Sequence, residues 1–467
     1  MRILVGIANY GTANQHFLQQ LLHEYRSLAH DVHVVVFSNI PKELGADVEV
    51  VVGLPTSNPW SLPFGHRPLF AERLRDHDLF IYSEDDTLFT AANLNAFLGA
   101  QQTLREDELA GFVRSERDPD GALRYVDMHS CYRWDPASVR ERGGELFARY
   151  TNEHAAFYIL TRAQLQRAIA SGGFLVPPYE GRHDMLCAAA TDPYTRCGFT
   201  KLVCVSRLAE FTLPHLPNKY AGRYGLAQSE VELQIGALRD LARTTGARES
   251  LFEPESKLPR ARWSKNLYET PHASILDLVP SVAHEVLVVG CGWGATEEAL
   301  ARRGQQVAAL PLDSVLAARV RVRGVEVVTG SFDEAARALA TRRFDCVVFP
   351  EMLHLLEHPA RILRQFAGLV RPGGSVVVYS PNSRRFATVL GRLGGHANSV
   401  RLGSFAESGV QVLTPRRAAS WLRQCGCAVG RCRLGFSPRR RIWHERTLGL
   451  AGGLLADDFS VRAVKRP

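Results

Sequence analysis

Val286-Leu287-Val288-Val289-Gly290-Cys291-Gly292-Trp293-Gly294 decides the reading of the second half of this chain. Four apolar residues, three of them β-branched, read as a buried strand, and glycine then recurs at every second position. Glycine has no Cβ, so the backbone turns sharply there and approaches a ligand closely. The residues that follow, 295–303, read as a helix whose N-terminus offers free N–H groups to a carboxylate or other polar group. Working outward, apolar runs at 285–289, 306–310, 325–329, 346–349 and 375–379 alternate with helical segments. That alternation predicts a doubly wound α/β sheet.

The first half shows a similar alternation. Apolar runs at 3–8, 32–37, 48–52 and 79–82 are separated by helical stretches; 16–28 puts Phe17, Leu18, Leu21, Leu22 and Tyr25 on one face. Strands spaced this way predict parallel βαβ pairing. The fourth run ends in Glu84-Asp85-Asp86. Three adjacent like charges repel, which costs stability unless a cation neutralises them. Hard oxygen ligands suit Mg²⁺ or Mn²⁺, and both ions also bind phosphate oxygens. Carboxylates at the carboxyl end of a sheet strand therefore suggest a nucleotide diphosphate site, with a solvated acidic turn as the plain alternative. Residues 243–272 turn polar and irregular and predict a linker between a domain at 1–242 and a domain at 273–467. No repeat links the halves, which read as two different α/β domains.

Composition bounds the class. The chain has 467 residues, 46% hydrophobic and 22% charged, which is globular rather than disordered. No apolar window reaches the roughly 18 residues of a membrane span. The first apolar run stops at Asn9-Tyr10-Gly11, too early for a secretory signal. Nine scattered cysteines do not form a disulfide framework; the closest group, Cys425, Cys427 and Cys432, lacks a fourth zinc ligand and reads as thiols. A reducing, cytoplasmic setting follows as an expectation. Net charge is +8, divided as −4 over residues 1–270 and +12 over 271–467. Arg439-Arg440-Arg441 in the basic half suggests peripheral contact with an anionic membrane surface or phosphate, against the plainer reading of a solvated face. No basic–aromatic interleaving points to nucleic acid.

The second half resembles class I S-adenosylmethionine-dependent methyltransferases over about residues 268–465. Beyond the glycine turn, the resemblance rests on Phe344-Asp345-Cys346-Val347-Val348-Phe349, Glu351-Met352-Leu353-His354, Leu369-Val370-Arg371-Pro372-Gly373-Gly374 and Ser380-Pro381-Asn382. Residues 405–427 match a substrate-side helical segment. The resemblance implies a Rossmann-like domain with Gly290, Gly292 and Gly294 against the cofactor. It expects a ribose-binding acid where Pro311 stands, so Asp313 takes that role by a shift. It expects an adenine-binding Asp where Ser331 stands, with Asp333 nearby. His354 is the candidate general base, since imidazole has a suitable pKa for a sugar hydroxyl. These departures leave open a degenerate domain acting as a scaffold.

The first half resembles glycosyltransferases of the GT-A fold over about residues 1–225, with Glu84-Asp85-Asp86 in the place of their Asp-X-Asp motif. Further matches are Ala8-Asn9-Tyr10, His66-Arg67, Gly111-Phe112-Val113-Arg114, Asn152-Glu153-His154, Glu180-Gly181-Arg182-His183-Asp184 and the segment from Pro214 to Tyr220. The resemblance implies that Ala8 and Asn9 lie against the nucleotide base and that Glu84 and Asp85 face the nucleotide. It makes Asp86 and His215 the metal ligands. It gives Asp184, with Glu180 second, the role of base or glycosyl-cation stabiliser. Arg67 is the candidate for bidentate neutralisation of the diphosphate. The combined expectation is a bifunctional enzyme. One half would move a sugar from a nucleotide diphosphate sugar to a glycan, a lipid-linked glycan or another glycosylated acceptor, using Mn²⁺ or Mg²⁺. The other half would methylate a sugar or related group. The contrary expectation is a non-catalytic nucleotide- or glycan-binding module.

Overall fold

The strand Arg2–Asn9 carries an apolar run, residues 3–8, with almost no exposed surface, so it can sit only inside a sheet covered on both faces. In the computed structural model, which describes residues 1–244, 248–383, 402–446 and 452–467, it is the centre of a five-stranded sheet. The order is Phe157–Thr161, Leu79–Glu84, Arg2–Asn9, Asp31–Ser38, Val48–Val52. The last four are parallel, and Phe157–Thr161 runs antiparallel to Leu79–Glu84. The chain builds outward from Arg2–Asn9 on one side and then returns to its other side with Leu79–Glu84. The direction of winding therefore reverses between these two strands, and the register places Ala8 beside Glu84. Open α/β sheets bind ligands in the crevice at such a reversal.

The chain divides into two units, Met1–Thr244 and Thr245–Pro467. The first also contains two four-stranded sheets that periodicity did not predict. Their strands are short and mixed in polarity, as in Val113–Arg117 and Leu123–Tyr125. One of them ends in Thr212–Pro214, which runs parallel to Val113–Arg117 and delivers His215 into a bridge with Thr87.

The second unit carries seven strands in the order Glu326–Val327, Gln306–Pro311, Glu285–Cys291, Phe344–Pro350, Val370–Pro381, Asp458–Lys465, Cys427–Gly435. The first five are parallel, and the last two add antiparallel. Winding reverses between Glu285–Cys291 and Phe344–Pro350, so the glycine turn and Glu351 emerge at adjacent strand ends. The strand expected at 325–329 shrinks to Glu326–Val327, because only Ala308 and Ala309 pair with it at this edge.

The linker expected at 243–272 is corrected over most of its length. Phe252, Leu258 and Leu267 are buried in one apolar cluster with Leu287, Val289 and Phe349. Lys265 is fully buried and donates to the Pro350 carbonyl at 2.8 Å. The segment looked like a linker because its backbone follows no regular period: Arg260, Ala261 and Trp263 all have left-handed φ. Helix ends follow ordinary chemistry, for example Thr90 and Thr161, each closing a capping box.

Candidate functional site

In the first unit the three carboxylates at the end of Leu79–Glu84 have three different fates. Asp85 is clamped by side-chain amides, accepting from Asn9 Nδ2 and from Asn14 Nδ2, the latter at 2.8 Å. Burial pushes its carboxyl up to about 6, against those two hydrogen bonds. Burial, with Asp86 and Asp85 adding repulsion, pushes Glu84 up to about 8. Asp86 goes the other way. Burial opposes its charge, but His215, with Lys219 and Arg114 further off, holds the carboxyl below its ordinary range. Its Oδ2 lies 3.4 Å from His215 Nε2, and its Oδ1 is buried with no hydrogen-bond partner.

His215 is oriented from behind. Its Nδ1 lies 2.5 Å from Glu116 Oε1, and Glu116 Oε2 accepts the Tyr220 and Ala221 backbone N–H groups. The Tyr220 ring stacks on the imidazole at 5.5 Å. A carboxylate accepting from one imidazole nitrogen is the usual support of a metal-binding histidine, since it fixes the tautomer and raises the basicity of the other nitrogen. With Nδ1–H given to Glu116, the Nε2 lone pair faces a carboxylate oxygen. That arrangement is stable only with a cation, a proton or a metal ion, between them. Glu116 was not singled out from the sequence; it sits 99 residues before its partner, two residues past the Gly111–Arg114 match.

Other first-half candidates land differently. Ala8 is buried in the sheet core, and the Asn9 side-chain amide donates to Asp85. Arg67 is a correction. It is 1% exposed and its guanidinium is taken up by Asp192 at 2.9 Å and by the carbonyls of Phe174, Ala188 and Ala189. It ties its helix to Met185–Thr195 and does not face a diphosphate. Asp184 is the N-cap of Met185–Thr195, accepting from Cys187 N at 2.9 Å, and Glu180 is exposed on the preceding loop. Beside Asp184, His183 Nε2 stands 3.9 Å from Glu153 Oε2, neither atom having a hydrogen-bond partner. Both residues line a cavity of about 450 Å³ with Arg149, Arg182, Arg196 and Tyr179.

In the second unit the glycine turn is conformationally required, but part of the reason is internal. Gly290 and Gly294 have φ of +76° and +89°. A Cβ on Gly290 would meet Met352 Sδ at 2.6 Å, and one on Gly292 would meet the Leu267 carbonyl oxygen at 2.4 Å. That carbonyl also accepts from Trp293 N at 3.0 Å. The close approach expected of a ligand is therefore made in part by the chain's own segment. Asp313 Oδ1 caps the next helix, accepting from Val315 N and Leu316 N, a local role that the ribose reading had not given it. Ser331 likewise closes a capping box with Glu334, and Asp333 pairs with Arg361 on the surface.

His354 is a second correction. It is 1% exposed, its Nε2 donates to the Trp263 carbonyl at 2.7 Å, and burial pushes its imidazole down to about 4. It pins the 251–269 segment to the strand end and is closed off from a substrate hydroxyl. The titratable groups at the strand ends are others: Glu269, His272, Glu297 and Glu351, with Lys265. Burial pushes Glu297 and Glu351 each up to about 7. Glu297 is fully buried, three residues past Gly294, with neither carboxylate oxygen hydrogen-bonded. A buried carboxylate beside the turn fits a cofactor that carries a sulfonium and an ammonium. All nine cysteines are free thiols, with Cys425 and Cys427 buried and Cys432 exposed. Among the described residues no helix is long and apolar enough to cross a membrane.

Comparison with known proteins bears on the second unit. A family model described as "Methyltransferase domain" matches residues 287–378. The ubiquinone biosynthesis O-methyltransferase of Azotobacter vinelandii is 30% identical over 204 residues, covering 42% of this chain and 83% of that protein. The enzyme of the same name from Xylella fastidiosa is 32% identical over 153 residues, covering 32% of this chain and 62% of its own. The crystal structure of a SAM-dependent methyltransferase from Archaeoglobus fulgidus aligns at 15% identity with a TM-score of 0.31, covering 41% of this chain and 90% of its own.

Proposed function

Given that the chain belongs, through its second unit, to the S-adenosylmethionine-dependent methyltransferases, we propose that it is a bifunctional enzyme that glycosylates an acceptor with its first unit and O-methylates a sugar or related group with its second. The observation that carries the glycosyltransferase half is the Asp86–His215–Glu116 arrangement at the winding reversal of a parallel sheet. Asp86 and His215 would hold a divalent cation, Mn²⁺ or Mg²⁺, and when bound it supplies positive charge to the leaving diphosphate. Glu116 fixes the His215 ring, and Asn9 and Asn14 hold Asp85 against the nucleotide side of the crevice. The donor is a nucleotide diphosphate sugar, and the acceptor a glycan or lipid-linked glycan. Asp184, the residue after the cavity-lining His183, serves the acceptor hydroxyl or the glycosyl cation. The basic second half, with Arg439 and Arg441, gives peripheral contact with an anionic membrane face, and the setting is cytoplasmic.

For the second unit, Gly290, Gly292 and Gly294 would hold the cofactor, and Glu297 would offer its carboxylate to the cofactor's cationic end. The cofactor supplies an activated methyl group. O-Methylation is favoured because the similar proteins named above are O-methyltransferases. The test is calorimetry on the full chain with a panel of nucleotide diphosphate sugars, in Mn²⁺ and in chelator, and with S-adenosylhomocysteine. Mn²⁺-dependent binding of one nucleotide sugar is expected. Binding of every nucleotide sugar equally in chelator, or none in either condition, refutes the glycosyltransferase reading.

A further inference from the structure

None of Asn9, Asp85, Asp86, Glu116 and His215 lines the cavity of about 450 Å³ in the first unit. Its size falls in the range of small-ligand sites, roughly 300–1,000 Å³. Its lining is mostly polar, and guanidinium groups outnumber carboxylates there: Arg149, Arg182 and Arg196 against Glu153. Arg149 is matched, since its Nη2 donates to Glu153 Oε1 at 2.8 Å. Arg196 is exposed, with its guanidinium 4.8 Å from the centre of the Tyr179 ring. The carboxylate that the Tyr179 hydroxyl reaches, Asp192, is already paired with Arg67. Such a lining selects an anion, because guanidinium groups bind phosphate and carboxylate oxygens through charge-assisted hydrogen bonds.

A second observation specifies the rest of the ligand. Glu153 Oε2 and His183 Nε2 are both buried without a hydrogen-bond partner. They stand 3.9 Å apart, beyond hydrogen-bond distance, on side chains 6% and 10% exposed. Burial holds the His183 imidazole below its ordinary pKa, so it is neutral and, with its proton on Nε2, presents a donor beside an acceptor. Left apart, each forfeits its desolvation cost. A hydroxyl, which accepts and donates at one oxygen, satisfies both. The chain itself joins this cavity to the strand-end crevice. Glu153 is followed by His154, whose imidazole is held well below its usual range by burial and then by the charges of Arg114, His183, Lys201 and His215.

We infer that this cavity holds a sugar bearing a phosphate or carboxylate group, with one sugar hydroxyl between His183 Nε2 and Glu153 Oε2 and the anionic group against Arg196. His183 donates to the hydroxyl oxygen, and the hydroxyl donates to Glu153. In the glycosyltransferase reading, on which this role rests, the cavity is the acceptor subsite. The acceptor is then a glycan whose acceptor sugar is anionic, held one residue from Asp184.

The test is calorimetry on the full chain in chelator, which keeps metal from Asp86 and His215. The probes are the hexose phosphates and the hexuronates of the gluco, galacto and manno series, with the free hexoses and inorganic phosphate as controls. At least one charged sugar is expected to bind about tenfold or more tighter than its free hexose and than inorganic phosphate, the worth of one charge-assisted hydrogen bond. Preference for the phosphates or for the hexuronates identifies the anion. Arg196→Gln and His183→Phe are each expected to weaken that sugar about tenfold. If His183→Phe does not fold by circular dichroism, Arg196→Gln decides alone. Nucleotide-sugar binding in Mn²⁺ is expected to stay within about threefold of the parent in Arg196→Gln, which lies outside the donor site. Charged-sugar binding by a parent chain that binds no nucleotide sugar supports the cavity and refutes the glycosyltransferase reading alone. Absence of charged-sugar binding, equal affinity for inorganic phosphate, or binding unchanged in the folded variants overturns the inference.

Discussion

Replacing Arg67 separates a structural arginine from a diphosphate-binding one. In Arg67→Met the apolar stem remains, but Asp192, with no exposed surface, loses its counter-charge and keeps only the hydroxyls of Tyr179, at 2.6 Å, and Thr195, at 3.3 Å. The carbonyls of Phe174 and Ala189 lose donors at 3.1 and 3.0 Å. Breaking one side of a buried pair costs about 3–5 kcal/mol, a large share of the roughly 5–15 kcal/mol that holds a domain together. At about 1.36 kcal/mol per tenfold, the most protected amides should exchange roughly 150- to 5,000-fold faster. The assay is hydrogen–deuterium exchange read on peptides covering Phe157–Thr161 and Met185–Thr195 in the full chain. Peptides of the strand Glu285–Cys291 serve as the internal control, and their protection should not move. The double variant Arg67→Met/Asp192→Leu should recover part of the loss, because it removes the uncompensated charge. Protection unchanged within threefold, together with a lost affinity for nucleotide diphosphate sugar, would refute the reasoning and return Arg67 to the diphosphate.

Asp86→Asn should abolish Mn²⁺-dependent nucleotide-sugar binding by calorimetry, and Glu116→Gln should weaken it roughly 10- to 100-fold, because the latter only loosens the His215 ring. His354 titrates far below a free histidine, so the unfolded chain takes up a proton between pH 6.5 and about 4 while the folded unit does not. Its contribution is present above pH 6.5 and is lost as pH falls towards 4, by roughly 3 kcal/mol at most. His354→Gln should flatten the acid limb of the second unit's unfolding free energy; an unaltered limb would mean the imidazole charges in place. Pro311→Asp should tighten S-adenosylhomocysteine by one charge-assisted hydrogen bond, about 1.5–3 kcal/mol; unchanged affinity would show that the ribose is not read from that position.

The local elements were legible because their causes are local. The runs at 3–8, 32–37, 48–52 and 79–82 are apolar enough to favour strands whatever surrounds them, and each appears as a strand of the first sheet, although at the sheet edge Val51 and Val52 stay exposed. The glycines at 290 and 294 were readable because a left-handed φ leaves little choice of residue. The acid cluster at 84–86 was also visible, since three adjacent carboxylates are conspicuous in any sequence. What each carboxylate does was not visible. Asp85 became a clamp because Asn9 and Asn14 arrive from 76 and 71 residues away, and Asp86 acquired His215 only through the bridge at Thr87.

The same distinction explains the misread residues. Arg67, near the start of the helix His66–Glu72, and His354, just past a strand end, are polar side chains of a kind shared by ligand-binding and buried structural groups. Only the partners, Asp192 at 125 residues' separation and the Trp263 carbonyl at 91, tell the two apart. Glu269 and His272 lay in a stretch that read as linker because left-handed residues break its period. Sequence alone thus determined which segments become strands, where the backbone must turn and where charge accumulates, since hydrophobic burial and φ sterics act over a few residues. Only the tertiary structure decided which buried charges are compensated, because a charge's partner is set by sheet order and strand-end geometry rather than by its neighbours in the chain.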